Sequence, residues 1–360
     1  MSKRLVMCCD GTWSTADQPA STNVVKLFHS VTPSDDGGTE QRTFYQPGVG
    51  TLFGERVRGG AFGFGLSRDV RRTYRFVVEN FDPGDELFFL GFSRGAYTAR
   101  STVGLIRNAG VLRRDQAHRI DEAYALYRNR ARTTRPTGDE AERFRREYSQ
   151  ETRVHFVGVW DTVGALGIPF TGSWLTRLVN RRWSFHDTTL TSWVDVACQA
   201  LAIDEKRGPF EPAIWQRSES AREQRCEQVW FAGEHSDIGG GHRDTALSDI
   251  ALLWLAARAR SAGLAFNADA FARTGASDAK ARNAGKYVSP DPYGLLHDSP
   301  TGFFRFLPRH DRRLGMTDDH ESVASSAVDR HRKDNRYAPP GLTTYLGRPG
   351  HTITTLEPAG

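Results

Sequence analysis

A serine held between glycines, an aspartate closing one apolar run and a histidine closing another can together hydrolyse an ester. This chain carries all three, in that order. Ser93 stands in Gly91-Phe92-Ser93-Arg94-Gly95, Asp161 follows the apolar run 153–160, and His235 follows 226–233. Gly-x-Ser-x-Gly between an apolar strand and a helix is the pattern of a nucleophile elbow, with the serine at the apex of a strained turn. Side chains two residues either side would collide with the neighbouring strand and helix, so Gly91 and Gly95 carry none. Serine, then acid, then histidine is the order this chemistry takes on an open α/β sheet. Asp161 and His235 also sit where ligands bind in such sheets, beyond the carboxyl ends of strands. Read apart from that order, an Asp after a strand is a helix cap and a lone His a structural residue.

An oxyanion needs backbone donors. Arg94, the residue after the nucleophile, offers one N–H. The small turn Asp10-Gly11-Thr12-Trp13 after the first strand offers another from Gly11 or Thr12. Trp13, Phe92 and Asp237 are candidates for the substrate pocket. The loop holding His235, Asp237 and His242 also invites a metal reading, but its spacing matches no recognised metal motif. No metal and no cofactor is therefore expected, and Asp237 is read as capping or orienting the loop.

These residues need strands to carry them. Apolar runs predict strands over 4–9, 42–46, 87–90, 153–160 and 226–233, the last taken as the final strong strand. Helical spacing marks 23–31, 66–81, 94–108, 186–203 and 247–262. The fold class expected is α/β, a three-layer sandwich with a mostly parallel central sheet and helices on both faces. The catalytic domain would span 1–265. The Arg-rich 113–150 and the aromatic 164–185 would be cap or lid insertions. Residues 266–360 would form a C-terminal extension packed on the domain, with the last ~20 residues extended or disordered. The glycine-rich stretch 47–65 lacks the Lys-Ser/Thr of a phosphate loop and suits a wall of the site mouth.

The chain has 360 residues, 38% hydrophobic and 25% charged, as in a globular protein. No apolar run is long enough to span a bilayer, and the N-terminus reads as a strand and not a signal peptide. A cytoplasmic location is expected, with export by a dedicated machine left open. Cys8, Cys9, Cys198 and Cys226 have no zinc or redox spacing and read as small core residues, the first two pointing to opposite faces of a strand. A net charge of +5 with basic stretches at 68–75 and 128–146 suggests solvated helix faces, or peripheral contact with anionic membrane. Nucleic acid is not expected as a partner.

Several of these stretches together resemble the DUF2235 α/β-hydrolase domain family, which includes the catalytic domains of Tle1-type phospholipase effectors of type VI secretion. They are Cys9-Asp10-Gly11-Thr12-Trp13, Gly48-Val49-Gly50-Thr51, Gly59-Gly60-Ala61-Phe62-Gly63, Pro83 to Tyr97, Val157 to Val163, Ala200 to Glu205 with Phe210-Glu211-Pro212, and Trp230 to Gly241. They run in family order over roughly 4–260. The resemblance implies ester hydrolysis with Ser93 as nucleophile, Asp161 as acid and His235 as base, and glycerophospholipid as substrate class. The effectors commonly carry a large extra membrane-associating domain; here about a hundred weakly patterned residues follow the shared part. The alternatives are a soluble carboxylesterase, a non-catalytic hydrolase-fold binding module, and a metal-dependent hydrolase using the His235–His242 loop.

Overall fold

A computed structural model describes residues 2–11, 14, 20–48, 61–163, 189–217, 221, 223–273, 285–298, 309–317 and 320–356. Eight strands form the central sheet: β1 (Arg4–Cys9), β2 (Gln41–Gln46), β3 (Glu86–Phe92), β4 (Val154–Trp160), β5 (Val194–Ala202), β6 (Arg225–Phe231), β7 (Glu321–Ala324) and β8 (Ile353–Thr354). Their spatial order is β8-β7-β6-β5-β4-β3-β1-β2, and each neighbouring pair is parallel. This is the mostly parallel, helix-covered α/β-hydrolase-like sandwich expected from the sequence.

The strands read as apolar runs because both faces are covered. Along β1 and β3, Leu5, Met7, Cys9, Leu87 and Phe89 enter one core, and Val6, Cys8, Phe88, Leu90 and Phe92 enter the other. Cys8 and Cys9 thus lie on opposite faces, and the four cysteines are free thiols. The first core is covered by α2 (Ala61–Asn80), α3 (Arg94–Ala109), α4 (Ile120–Arg128) and α5 (Asp139–Tyr148). The second is covered by α1 (Asn23–Ser30) and α7 (Ala246–Ser261); α6 (His235–Gly239) is the short helix before it. A third cluster joins Leu201, Trp230 and Val323 to α8 (Ser325–Lys333) and α9 (Pro340–Leu346).

Chain direction places the site. From β1 the chain passes through α1 to β2 on one side; from β3 it passes through α3 to β4 on the other. The carboxyl ends of β1 and β3 therefore flank a topological switch point, where such sheets bind ligands. At the opposite end, buried Lys3 and Asp85 pair at 2.5 Å and tie the starts of the same two strands together.

Three sequence expectations are corrected. The spacing over 186–203 predicts a helix, yet Val194–Ala202 is strand β5, between β4 and β6. Periodicity cannot separate a helix from a strand buried on both faces. The sheet does not end at β6: β7 and β8 extend it, too short to show a period. The last twenty residues are not simply extended, since α9 and β8 lie there and Leu342 and Tyr345 are buried. The Arg-rich 113–150 is seated on α2 and α3, with Tyr124 Oη donating to Ser67 Oγ at 2.9 Å and Arg71 paired with Asp121. Arg145 is buried and paired with Glu151, so part of the basic character is neutralised internally. The candidate lid 164–185 lies outside the described residues, as do 49–60 of the glycine-rich stretch. Among the described residues, no helix is long and apolar enough to cross a membrane.

Candidate active site

Ser93 caps α3 with φ 56° and ψ −121°, a backbone conformation that L-residues rarely adopt. Its N–H donates to Trp160 O at 3.1 Å, which docks the turn on the end of β4. The flanking glycines are steric requirements. A Cβ on Gly95 would fall 2.1 Å from Cys9 O, and one on Gly91 2.7 Å from Ala96 Cα. The first contact is with the end of β1 and the second with the first turn of α3, so strand, turn and helix are locked at one point.

Asp161 follows β4 and is fully buried, with φ 39°. His235 opens α6 after β6. Its Nδ1 is 2.6 Å from Asp161 Oδ2 and its Nε2 2.8 Å from Ser93 Oγ. An acidic Oδ2 can only accept, so Nδ1 carries a proton and Nε2 is left to accept from the serine hydroxyl. Three residues separated widely in the chain thus form one hydrogen-bonded relay beyond the strand ends. Ser93, Asp161 and His235 are all buried, and Phe92 and Phe210 wall the imidazole, their ring centroids 4.7 and 5.0 Å from it. A Cβ on Gly239 would lie 2.0 Å from the Phe92 ring, so the glycine makes room for that wall.

Asp161 is braced further. Oδ1 accepts from Ala202 N at 3.1 Å and Arg312 Nη1 at 2.5 Å, and Oδ2 also accepts from Arg312 Nη2 at 3.0 Å. Burial by itself would raise this carboxyl. The Arg312 guanidinium and His235 outweigh it and hold the group well below the usual carboxylate range. Arg312 carries no signal in the sequence. It is one arginine in the polar run His310-Asp311-Arg312-Arg313, and only the fold brings it to Asp161.

The loop around His235 is fixed by acids. Glu234 and Asp237 form a capping box at the start of α6, and Glu205 accepts from Arg207 and, at 3.4 Å, from the His235 N–H. Asp237 does not reach the relay. It accepts from Glu234 N and from His297 at N and Nδ1, and so holds the His235 loop to the C-terminal segment.

Gly11 does sit beside Ser93: a Cβ there would be 3.5 Å from Ser93 Cβ. Its N–H, however, is held by Asp10 Oδ1 at 2.7 Å. Asp10 is buried and also accepts from Thr22 Oγ1 and Tyr45 Oη; burial pushes it up to about 6 against the pull of these three donors. Arg94 is the first residue of α3, where helix N–H groups lack an intrahelical acceptor. Thr12 and Trp13 lie outside the described residues.

Of His235, Asp237 and His242, weighed as metal ligands, His235 is engaged in the relay, while Asp237 and His242, joined by His297, bring ligand atoms within 4.8 Å of one another. Their orientation does not suit one ion. The His242 and His297 rings stack at 3.7 Å with planes 16° apart. Imidazole lone pairs lie in the ring plane, so two stacked rings cannot both aim at one centre. Each instead faces a carboxylate, His242 that of Glu234 at 2.8 Å and His297 that of Asp237 at 2.6 Å.

Residues 3–258 match the family model described as "T6SS, Phospholipase effector Tle1-like, catalytic domain". The chain belongs to this family. A relative in Saccharomyces cerevisiae, the uncharacterized protein YEL023C, is 28% identical over 231 residues, covering 58% of this chain and 32% of that protein. Among solved structures, an uncharacterized protein from Pseudomonas aeruginosa aligns with TM-score 0.44 at 19% identity, covering 74% of this chain and 46% of that one. The Tle1 effector bound to the VgrG spike of the type 6 secretion system aligns with TM-score 0.39 at 19% identity, covering 68% of this chain and 52% of the effector. The chain thus spans about a third of the yeast relative and about half of each structure. Arg312 lies beyond the matched region.

Proposed function

We propose that the chain is a serine ester hydrolase of phospholipase A type, cleaving an acyl ester of glycerophospholipid through an acyl-Ser93 intermediate. The observation that carries this reading is the continuous hydrogen-bonded path from Ser93 Oγ through His235 to Asp161 at the switch point of the sheet. The lipid substrate class is carried by family membership. Ser93 Oγ bonds to the ester carbonyl carbon while its proton passes to His235 Nε2. The tetrahedral intermediate collapses, the carbon–alkoxide bond breaks, and Nε2 returns the proton to the leaving lysolipid alcohol. Water then attacks the acyl-serine, again giving its proton to Nε2, and Ser93 leaves with that proton as the fatty acid departs. Asp161 holds the Nδ1–H tautomer and offsets the imidazolium charge. The Arg94 N–H holds the oxyanion. The turn after β1, with Gly11 or Thr12 as candidates, supplies the second donor, and the Gly11 N–H would have to leave Asp10 Oδ1 to serve; losing one such donor typically costs ~3 kcal/mol in the transition state.

The test pairs a fluorophosphonate probe with product analysis on phosphatidylethanolamine and phosphatidylglycerol vesicles and on p-nitrophenyl butyrate. Labelling at Ser93 with release of fatty acid from vesicles is expected. Hydrolysis confined to the soluble ester sinks the phospholipid assignment but keeps the mechanism. An unlabelled wild type sinks the hydrolase reading. Faster hydrolysis in vesicles rich in phosphatidylglycerol assigns the exposed basic residues a role in anionic-membrane contact, and indifference to that lipid removes it.

A further inference from the structure

We infer that Arg312, from the C-terminal segment outside the family-matched region, is a positioning residue that sets the geometry and the charge of the acid behind the catalytic base. The inference rests on the serine hydrolase reading above. A planar guanidinium has five N–H donors in a rigid fork that matches a carboxylate edge. Here that fork takes both Asp161 oxygens, at 2.5 and 3.0 Å, and its two terminal nitrogens also donate to Ala202 O at 2.9 Å and Phe210 O at 2.5 Å. The Arg312 side chain is 5% exposed and that of Asp161 fully buried. One group therefore seats two of the contacts that orient His235: the carboxylate on Nδ1, and the residue whose ring stands edge-on to the imidazole.

The charge has a second effect. A carboxylate shared with a guanidinium offers less negative potential to an imidazolium than an unshared one. Arg312 thus keeps the acid behind His235 fixed in place and ionised. The other groups facing the imidazole are Ser93 on one side and Glu205 and Glu234 behind its backbone. Arg207 bridges those two acids, and His242 is bonded to Glu234. None of these depends on Arg312 for its partner, so its removal acts on His235 through Asp161.

The experiment compares wild type, Arg312→Met and Arg312→Lys by the rate of fluorophosphonate labelling and by kcat and KM for p-nitrophenyl butyrate across pH, with circular dichroism to verify folding. Methionine keeps the bulk of the stem without charge; lysine keeps the charge without the fork. For Arg312→Met, kcat and labelling rate are expected to fall ~100-fold, the size of effect a misplaced group produces, with KM within about twofold. The acid limb of kcat/KM is expected to move to higher pH by about one unit, because the carboxylate is no longer shared. Arg312→Lys should restore the position of the limb but not the full kcat. If Arg312→Met does not fold, Arg312→Lys decides alone: reduced kcat with an unmoved limb supports the inference, and wild-type kcat overturns it. An Arg312→Met protein with wild-type labelling rate and limb overturns it, as does a loss of kcat/KM carried by KM with the limb unmoved. Failure of the wild type itself to label overturns the parent reading instead, so the two failures are distinct.

Discussion

Ser93→Ala is expected to lower ester turnover by on the order of 10⁵-fold and to abolish fluorophosphonate labelling while leaving the fold in place. The size follows from the relay acting as a unit. With no Oγ there is no covalent intermediate, and His235 Nε2 can at best activate water for direct attack, with the oxyanion donors supplying what rate remains. The fold survives because alanine retains the Cβ that the turn already accommodates at φ 56°. The docking bond from the residue 93 N–H to Trp160 O is a backbone bond and is also kept. Ser93→Gly separates strain from chemistry. It is equally inactive, yet relieves a conformation costing ~1–3 kcal/mol, so its unfolding midpoint should exceed that of Ser93→Ala. Turnover by purified Ser93→Ala within tenfold of wild type would exclude Ser93 as nucleophile.

The second large effect is at Asp161, where activity and stability fall together. Asp161→Asn is expected to cost ~10⁴-fold in kcat, because an amide stabilises the wrong imidazole tautomer. It is also expected to cost ~3–5 kcal/mol of stability, because Arg312 is then a buried cation without its counter-charge. Kinetics with denaturant unfolding of the same protein reads both. A variant as stable as wild type would mean the Arg312–Asp161 pair is not formed. The pH dependence has a definite sign. The native pKa of Asp161 is depressed, so its contribution to stability is complete above the unfolded value near 3.9 and is lost as pH falls below it. Acid unfolding of wild type should therefore steepen below about pH 4, and Asp161→Asn should lack that component.

The sequence made some parts of this site readable and hid others, for physical reasons. The elbow was readable because its glycines answer contacts that any side chain would violate, with Cys9 O and with the first turn of α3. Asp161 and His235 could be nominated because strand ends in an open parallel sheet converge on one edge, which turns order in the chain into proximity in space. Strand β5 was not readable. Gln199 is buried in it and satisfied by Arg100, Thr162 and Gln228, so the strand shows no polar face from which to read a period. β7 and β8 were too short to carry a pattern. The hold of Asp10 on the Gly11 N–H and the seat of Arg312 were invisible because each is a choice of partner made only in the folded chain. The lid assignments at 113–150 and 164–185 remain proposals.

The long reach from Arg312 to Asp161, 151 residues along the chain, has a consequence for the order of events in folding. Strands β1, β3 and β4 and their helices supply most of one core, completed by Leu190, Val194, Ala197 and Trp215, all of them earlier in the chain than Arg312. The counter-charge of the acid arrives only when a much later segment has closed its loop and β7 has docked on β6. During refolding from denaturant, recovery of far-ultraviolet dichroism should therefore precede recovery of Ser93 labelling, and a chain arrested before residue 312 should be compact yet slow to react. Reactivity at the elbow is then a late event, timed by a segment 151 residues downstream of the acid it pairs with.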